Sequence, residues 1–570
     1  MKLLPAVSLG AWGVASVSAT CLLDLGYARY SGHENTTTGC ASILSFLNLH
    51  LKSITCRICV YYGVHHSQAP VGALRWEAPL PIEANNNFLS MGVINAATVG
   101  PTCIQGIPYW SNSTPGNPTS QEDCLRADVY MPIRPTSGSL PILVQVHGGG
   151  YTEGSSMSEP GDAIMYAANG SLVYVSIQYR LGGFGYLNSV EVRQNGSPNV
   201  GLLDQRAAMQ WTQRYARYFG GDPSQITIIG GSAGGGSVMN QMILYGGVTS
   251  PPFRAAIAAE YPWWQPYKND SALETQYRQL LTATGCSDLA CLRALDETSL
   301  ATASQEVYVQ AYAAGSYGYG DFYFGPAVDG EIIRDLPSNE FKQGHFTKVP
   351  LLVNRDGYEG VIFSNLSVTT MEEELEDMLN LFPYAGQSFI NRLYELYPLS
   401  AYNSTFYHRA QVFDILRAVC LLFFAFNSTF YHRAQLFGDA VVECPTYWLS
   451  SAVSDAGLPV YKVLFYAGSE VHGATSPYLY FENNDGTYMA NDTIGAYMKD
   501  WMVSFTTHLD PNAVSYSGLD KPYWPVWSDQ STGLGWNAMD VNFTEIGVVR
   551  DYDVSERCDW FHSQNAVIRN

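Results

Sequence analysis

Two glycine-rich segments hold the residues whose types and spacing could do chemistry. Residues 225–236 read QITIIGGSAGGG, in which Gly230, Gly231, Ser232, Ala233 and Gly234 spell G-x-S-x-G. The motif follows an apolar, β-branched run and opens a helical one. A serine at the tip of so sharp a strand-to-helix turn sits in strained backbone, and small neighbours permit the close approach. The helix N-terminus behind Ser232 favours developing negative charge. Upstream, residues 146–151 read VHGGGY at the end of another strand-like run. Glycine runs are most often flexible loops. Beside an elbow nucleophile, however, unshielded N–H groups suit an oxyanion hole, with Gly149, Gly150 and Ala233 as its three donors. Losing one such donor removes about 3 kcal/mol of transition-state stabilisation. The chemistry would be acyl transfer to an activated serine hydroxyl, which needs neither metal nor cofactor.

These loops need a scaffold that brings strand ends together. Residues 142–146, 172–178, 225–229, 349–353 and 460–466 are short, apolar and β-branched-rich. Between them lie segments such as 203–218, with apolar positions at helical spacing. The alternation predicts a mostly parallel sheet covered on both faces by helices, its chemistry at the strand ends.

Composition narrows the function classes. The 570 residues carry 30 Lys+Arg against 51 Asp+Glu, a formal charge of −21, and 46% are hydrophobic. Such a chain can build a core, and its acidity argues against nucleic acid as partner. Residues 1–19 (MKLLPAVSLGAWGVASVSA) have the charged start, apolar middle and small-residue end of a signal peptide cleaved before Thr20. Ten Asn-x-Ser/Thr sites, at Asn35, Asn112, Asn169, Asn195, Asn269, Asn365, Asn403, Asn427, Asn491 and Asn542, predict N-linked glycans. Eleven cysteines predict disulfides and agree with an extracellular protein. Beyond the leader the longest apolar run, 415–426, is broken by Arg417 and too short to span a bilayer.

The sequence NSTFYHRAQ occurs twice, at 403–411 and 427–435. Two copies are too few for a solenoid. The pair reads as a local duplication or retained non-coding sequence around an inserted stretch, 412–426. Residues 40–59, apolar and cysteine-bearing, read as a second insert. Transcript reads continuous through both would exclude this reading.

The quoted motifs, together with PVGALRW (70–76), EDCLRADVYMP (122–132), GLLDQRAAMQW (201–211), FGGDPSQITIIGGSAGG (219–235) and YEG (358–360), occur in an order that resembles the type-B carboxylesterases, cholinesterase-related α/β-hydrolases that include fungal secreted esterases and lipases. The resemblance implies one catalytic domain over 20–570 with the α/β-hydrolase fold and a Ser–Glu–His triad. It makes Ser232 the nucleophile and Glu359 the orienting acid, with Asp356 in the same loop as the alternative. The base must follow the acid, leaving His408, His432, His472, His508 and His562. His472, in the loop GSEVHGA after strand 460–466, has the family's placement. The expected reaction is hydrolysis of a small-molecule or lipid ester through an acyl-enzyme. The resemblance also implies disulfides Cys103–Cys124, Cys286–Cys291 and Cys444–Cys558, and structural ion pairs Arg75–Glu122 and Arg180–Asp204. Cys21, Cys40, Cys56, Cys59 and Cys420 are left over, four of them in the two inserts.

Several departures bear on substrate. Gly231 stands where cholinesterases and several lipases have Glu, which weakens the case for a choline cation. Tyr358 replaces the usual Asp before the acid. The twenty residues between Cys103 and Cys124 hold three prolines and a sequon but no apolar stripe, unlike an amphipathic lid. An esterase acting on dissolved esters is therefore expected. The alternative, a catalytically inactive cholinesterase-like binding or adhesion protein, is disfavoured because Ser232, Glu359 and His472 are all present. A serine carboxypeptidase fits the EDCL stretch and the Glu acid less well.

Overall fold

An eleven-stranded sheet organises the chain, and the computed structural model describes residues 21–38, 55–84, 86–111, 120–258, 262, 265–402, 428–481 and 492–570. Its first strands are β1 (His33–Thr38), β2 (Thr55–His65), β3 (Arg126–Pro132), β4 (Leu140–Val146) and β5 (Val173–Ile177). There follow β6 (Gly221–Gly230), β7 (Ala255–Ala258), β8 (Leu351–Asp356), β9 (Val460–Tyr466), β10 (Asn537–Asn542) and β11 (Ile546–Arg550). Their spatial order is β1-β2-β3-β5-β4-β6-β7-β8-β9-β10-β11. Pairing is parallel from β5 to β10. The two ends, β1–β2–β3–β5 and β10–β11, are antiparallel. A small separate sheet joins Leu22–Asp24, Arg29–Ser31 and Val93–Asn95. This is the expected α/β-hydrolase architecture.

The period-2 alternation of strands divides the core in two. Ile142, Val144 and Val146 of β4, with Val173, Val175 and Ile177 of β5, face one apolar cluster; Leu143 and Tyr174 face the other. Helices α2 (Val200–Tyr215) and α3 (Ala233–Ile243) cover the first face through Leu202, Met209, Trp211 and Val238. Helices α1 (Asp162–Ala168) and α6 (Asp492–His508) cover the second through Ile164, Met498, Trp501 and Phe505. Strands buried on both faces in this way read as continuous apolar runs, which is why they were legible. Among the described residues no helix is long and apolar enough to cross a membrane.

Several expectations move. The helix expected over 203–218 is α2, which starts three residues earlier; residues 216–219 tighten into a 3₁₀ turn closed at Gly220 with φ 77°. The strand expected over 349–353 continues to Asp356, its ladder to β9 running on to the pair Asp356–Phe465. Cys59, assigned to an inserted stretch, lies in β2 and is bonded to Cys21. The expected pairs Cys103–Cys124, Cys286–Cys291 and Cys444–Cys558 are all present. Arg75–Glu122 and Arg180–Asp204 are bidentate and buried. The second NSTFYHRAQ copy forms helix α5 (Ser428–Gly438), packed near helix α4 (Met371–Leu381). The leader, residues 40–54, the first copy with stretch 412–426, and sequons Asn112, Asn403, Asn427 and Asn491 lie outside the described residues.

Candidate active site

Ser232 stands between β6 and α3 with φ 54° and ψ −126°, a strained conformation for a side-chain-bearing residue. Small neighbours make the turn possible. A Cβ added at Gly234 would lie 2.1 Å from the Val146 carbonyl, so the end of β4 and the start of α3 touch only because glycine is there. That contact brings the 147–150 loop beside the elbow: a Cβ on Gly148 would sit 3.0 Å from Ser232 Cβ. Gly149 and Gly150 both have positive φ, 98° and 60°. Among the described residues neither they nor Ala233 donate an N–H to another backbone carbonyl.

Two further strand ends supply the partners. Glu359 follows β8 and is buried; His472 follows β9 with its side chain 6% exposed. His472 Nδ1 lies 2.6 Å from Glu359 Oε2, and Nε2 lies 3.0 Å from Ser232 Oγ. Glu359 Oε1 accepts the Asp356 N–H at 2.6 Å, so both carboxyl oxygens are engaged. Burial raises the Glu359 carboxyl, while the Asp356 N–H and the Arg355 guanidinium oppose this and favour the carboxylate that faces the imidazole. Burial also drives the His472 imidazole well below its ordinary value. A neutral ring that donates from Nδ1 to the carboxylate leaves an Nε2 lone pair for the serine proton. The pair is arranged for general-base work.

The remaining candidates are elsewhere. Asp356 does not meet the imidazole; its carboxyl accepts the Gly473 and Ala474 N–H groups and the Thr475 hydroxyl, at 2.9, 2.9 and 2.6 Å. His432 is fully buried between Glu374 and the Tyr397 carbonyl. His508 ends α6 with Nδ1 near the Thr507 hydroxyl, and His562 stacks on Trp448. His408 lies outside the described residues.

An aromatic wall completes the site, without any periodic signal in the residue pattern. Phe363 meets the His472 ring edge-to-face at 4.8 Å and leans on Phe437 and Phe322. Phe322 packs so tightly over Gly150 that an added Cβ would fall 1.9 Å from its ring. Trp110, from the Cys103–Cys124 loop, closes the cluster against Tyr319 and Phe322 and donates its indole N–H to the Asp321 carbonyl at 2.6 Å.

The carboxylesterase family pattern matches residues 47–536. The chain belongs to the carboxylesterase family. It is accordingly a carboxylic ester hydrolase, and several relatives bear this out. Carboxylesterase patB of Aspergillus clavatus is 27% identical, covering 96% of this chain and 97% of its own. The secreted triacylglycerol lipase LIP1 of Gibberella zeae is 28% identical over 84% of this chain and 82% of its own. The crystal structure of Aspergillus niger EstA superposes with a TM-score of 0.76 at 25% identity, covering 96% of this carboxylesterase and 99% of EstA.

Proposed function

We propose that this carboxylesterase is a secreted, glycosylated serine esterase working through an acyl-enzyme. His472 Nε2 takes the proton of Ser232 as Oγ bonds to the ester carbonyl carbon. Glu359 holds the Nδ1–H tautomer and balances the imidazolium. The Gly149, Gly150 and Ala233 amides receive the oxyanion. Collapse breaks the carbon–alkoxy bond, and the leaving alcohol takes the proton from Nε2. Water, activated by the same imidazole, then attacks the acyl carbon and Ser232 regains its proton. The observation that carries the reading is the single imidazole within hydrogen-bond reach of both Ser232 Oγ and Glu359 Oε2.

Dissolved esters fit this site better than a lipid interface. The first part of the Cys103–Cys124 loop is stitched to the body: Gly106 N–H bonds the Thr152 carbonyl, Ile107 exchanges two bonds with Gln305, and Trp110 is anchored at Asp321. A lid must swing free, and these bonds oppose that. The four disulfides among the described residues fit an oxidising compartment and support secretion.

Turnover of p-nitrophenyl esters of rising chain length by wild type and S232A, with a serine-directed phosphonate as active-site label, tests the mechanism. The expected loss in S232A is on the order of 10⁶-fold in kcat, together with loss of labelling. Full activity in S232A overturns it. A sharp rise in rate once a short-chain ester passes its solubility limit overturns the preference for dissolved substrate.

A further inference from the structure

Two loops must keep a fixed registry for the site to work, the one after β8 that carries Glu359 and the one after β9 that carries His472. They are zipped at two levels. The Tyr358 N–H bonds the Glu470 carbonyl at 2.7 Å, and Tyr358 bridges to Val471 in parallel fashion. Deeper, Asp356 touches both sides at once. Its own N–H goes to Glu359 Oε1, and its fully buried carboxyl collects the N–H groups of Gly473 and Ala474 and the hydroxyl of Thr475, the three residues directly after His472. Thr475 is in turn held by Asn354 Nδ2 at 3.0 Å, two residues before Asp356 on β8.

We propose that Asp356 is a positioning residue for the esterase reaction, a brace that sets the triad acid and the triad base against one another while touching neither substrate nor the reacting atoms. The inference rests on the triad reading above and deepens it. Its work is geometric. Without the carboxyl, three donors on the base loop lose their common acceptor, and the Tyr358 contacts and the single Asn354–Thr475 bond are left to hold the loops in register. A displacement of about 1 Å at a catalytic group can cost on the order of 10²-fold in rate. An amide at this position can still turn its oxygen to the Gly473 and Ala474 N–H groups and its NH₂ to Thr475 Oγ1, so shape survives where the carboxyl chemistry does not.

The test compares D356A, D356N and T475V with wild type in the full chain, with phosphonate labelling to count competent Ser232 and thermal unfolding to check the fold. D356A is expected to lose about 10²-fold in kcat with KM within a factor of about two, because ground-state binding is untouched. D356N should recover to within about tenfold of wild type, and T475V should lose severalfold in kcat alone. A folded D356A that keeps kcat within about threefold overturns the brace. So does a D356N as impaired as D356A, since charge would then matter more than shape. If D356A does not fold, T475V decides: unchanged kcat overturns the proposal. Full activity in S232A, by contrast, would sink the triad reading itself, so the two failures are distinguishable.

Discussion

Two histidine–carboxylate pairs lie buried in this fold with the same spacing. His472 Nδ1 and His432 Nδ1 each sit 2.6 Å from a glutamate oxygen, of Glu359 and Glu374. They differ at the far nitrogen. His472 Nε2 faces the Ser232 hydroxyl, which has a proton to give; His432 Nε2 faces the Tyr397 carbonyl at 2.6 Å, which can only accept. A carbonyl partner requires that Nε2 carry the hydrogen, leaving no lone pair for base chemistry. Placement enforces the contrast. His472 stands on a loop at the end of a parallel strand, where α/β folds put their reactive groups. His432 is inside helix α5, its ring fully enclosed and stacked on Tyr394. A histidine beside a carboxylate is therefore not a sign of catalysis in itself; what the second nitrogen meets decides.

The widest separation between the pairs comes from removing each ring. H472A should lose on the order of 10⁶-fold in kcat, as expected when the base that acts as a unit with the nucleophile is lost. H432A should keep kcat per folded molecule and instead lose about 3–5 kcal/mol of stability, the cost of leaving a buried charge partner alone. Steady-state kinetics paired with denaturant unfolding reads both; a large kcat loss in H432A with an intact fold would erase the distinction. The glutamates should divide likewise, with smaller effects. E359Q should lose about 10⁴-fold in kcat through the wrong tautomer. E374Q should leave kcat within about threefold and lower the unfolding midpoint.

This contrast also marks where sequence reasoning reaches. Ser232 and the glycines were legible because an elbow between strand and helix tolerates few residue types. His472 was separated from His432 by placement after a strand, not by its neighbours' chemistry, and the repeat copy that carries His432 is a packed helix. The end of β8 was missed because Asn354, Arg355 and Asp356 look like loop residues. They are strand residues whose polar groups are all paired inside: Asn354 with Thr475, Arg355 with Asp553, and Asp356 with the base loop. The Cys21–Cys59 bond was hidden by a different cause, since apolar residues up to Cys59 blur the start of β2. Nothing in the spacing of Trp110, Phe322 and Phe363 signals that three distant segments converge on one aromatic wall.

Acid titration offers a more moderate probe of the proposed catalytic pair. Burial holds the His472 imidazole below its ordinary value of 6.5. The active form has Nε2 unprotonated, so kcat/KM is retained above the folded pKa and lost as pH falls through it. The acid limb of the pH–rate profile should consequently lie below pH 6.5, and H432A should leave its midpoint in place. A midpoint at or above 6.5 contradicts the dominance of burial over the adjacent Glu359 carboxylate.

The smallest effects should come from the rings beside each imidazole. Phe363 meets His472 edge-on at 4.8 Å, and Tyr394 stacks on His432 at 5.7 Å. Each such contact contributes about 0.5–1.5 kcal/mol beyond the area it buries. Where that energy appears depends on what its imidazole does. In F363L it should appear in the transition state, as a severalfold loss of kcat, because the ring that orients the base is gone. In Y394L it should appear in the folded state alone, as a lower unfolding midpoint with unchanged kcat. Equal kinetic losses in the two variants would mean that the enclosed ring of His432 communicates with the site, and the separation drawn from the Nε2 partners would have to be abandoned.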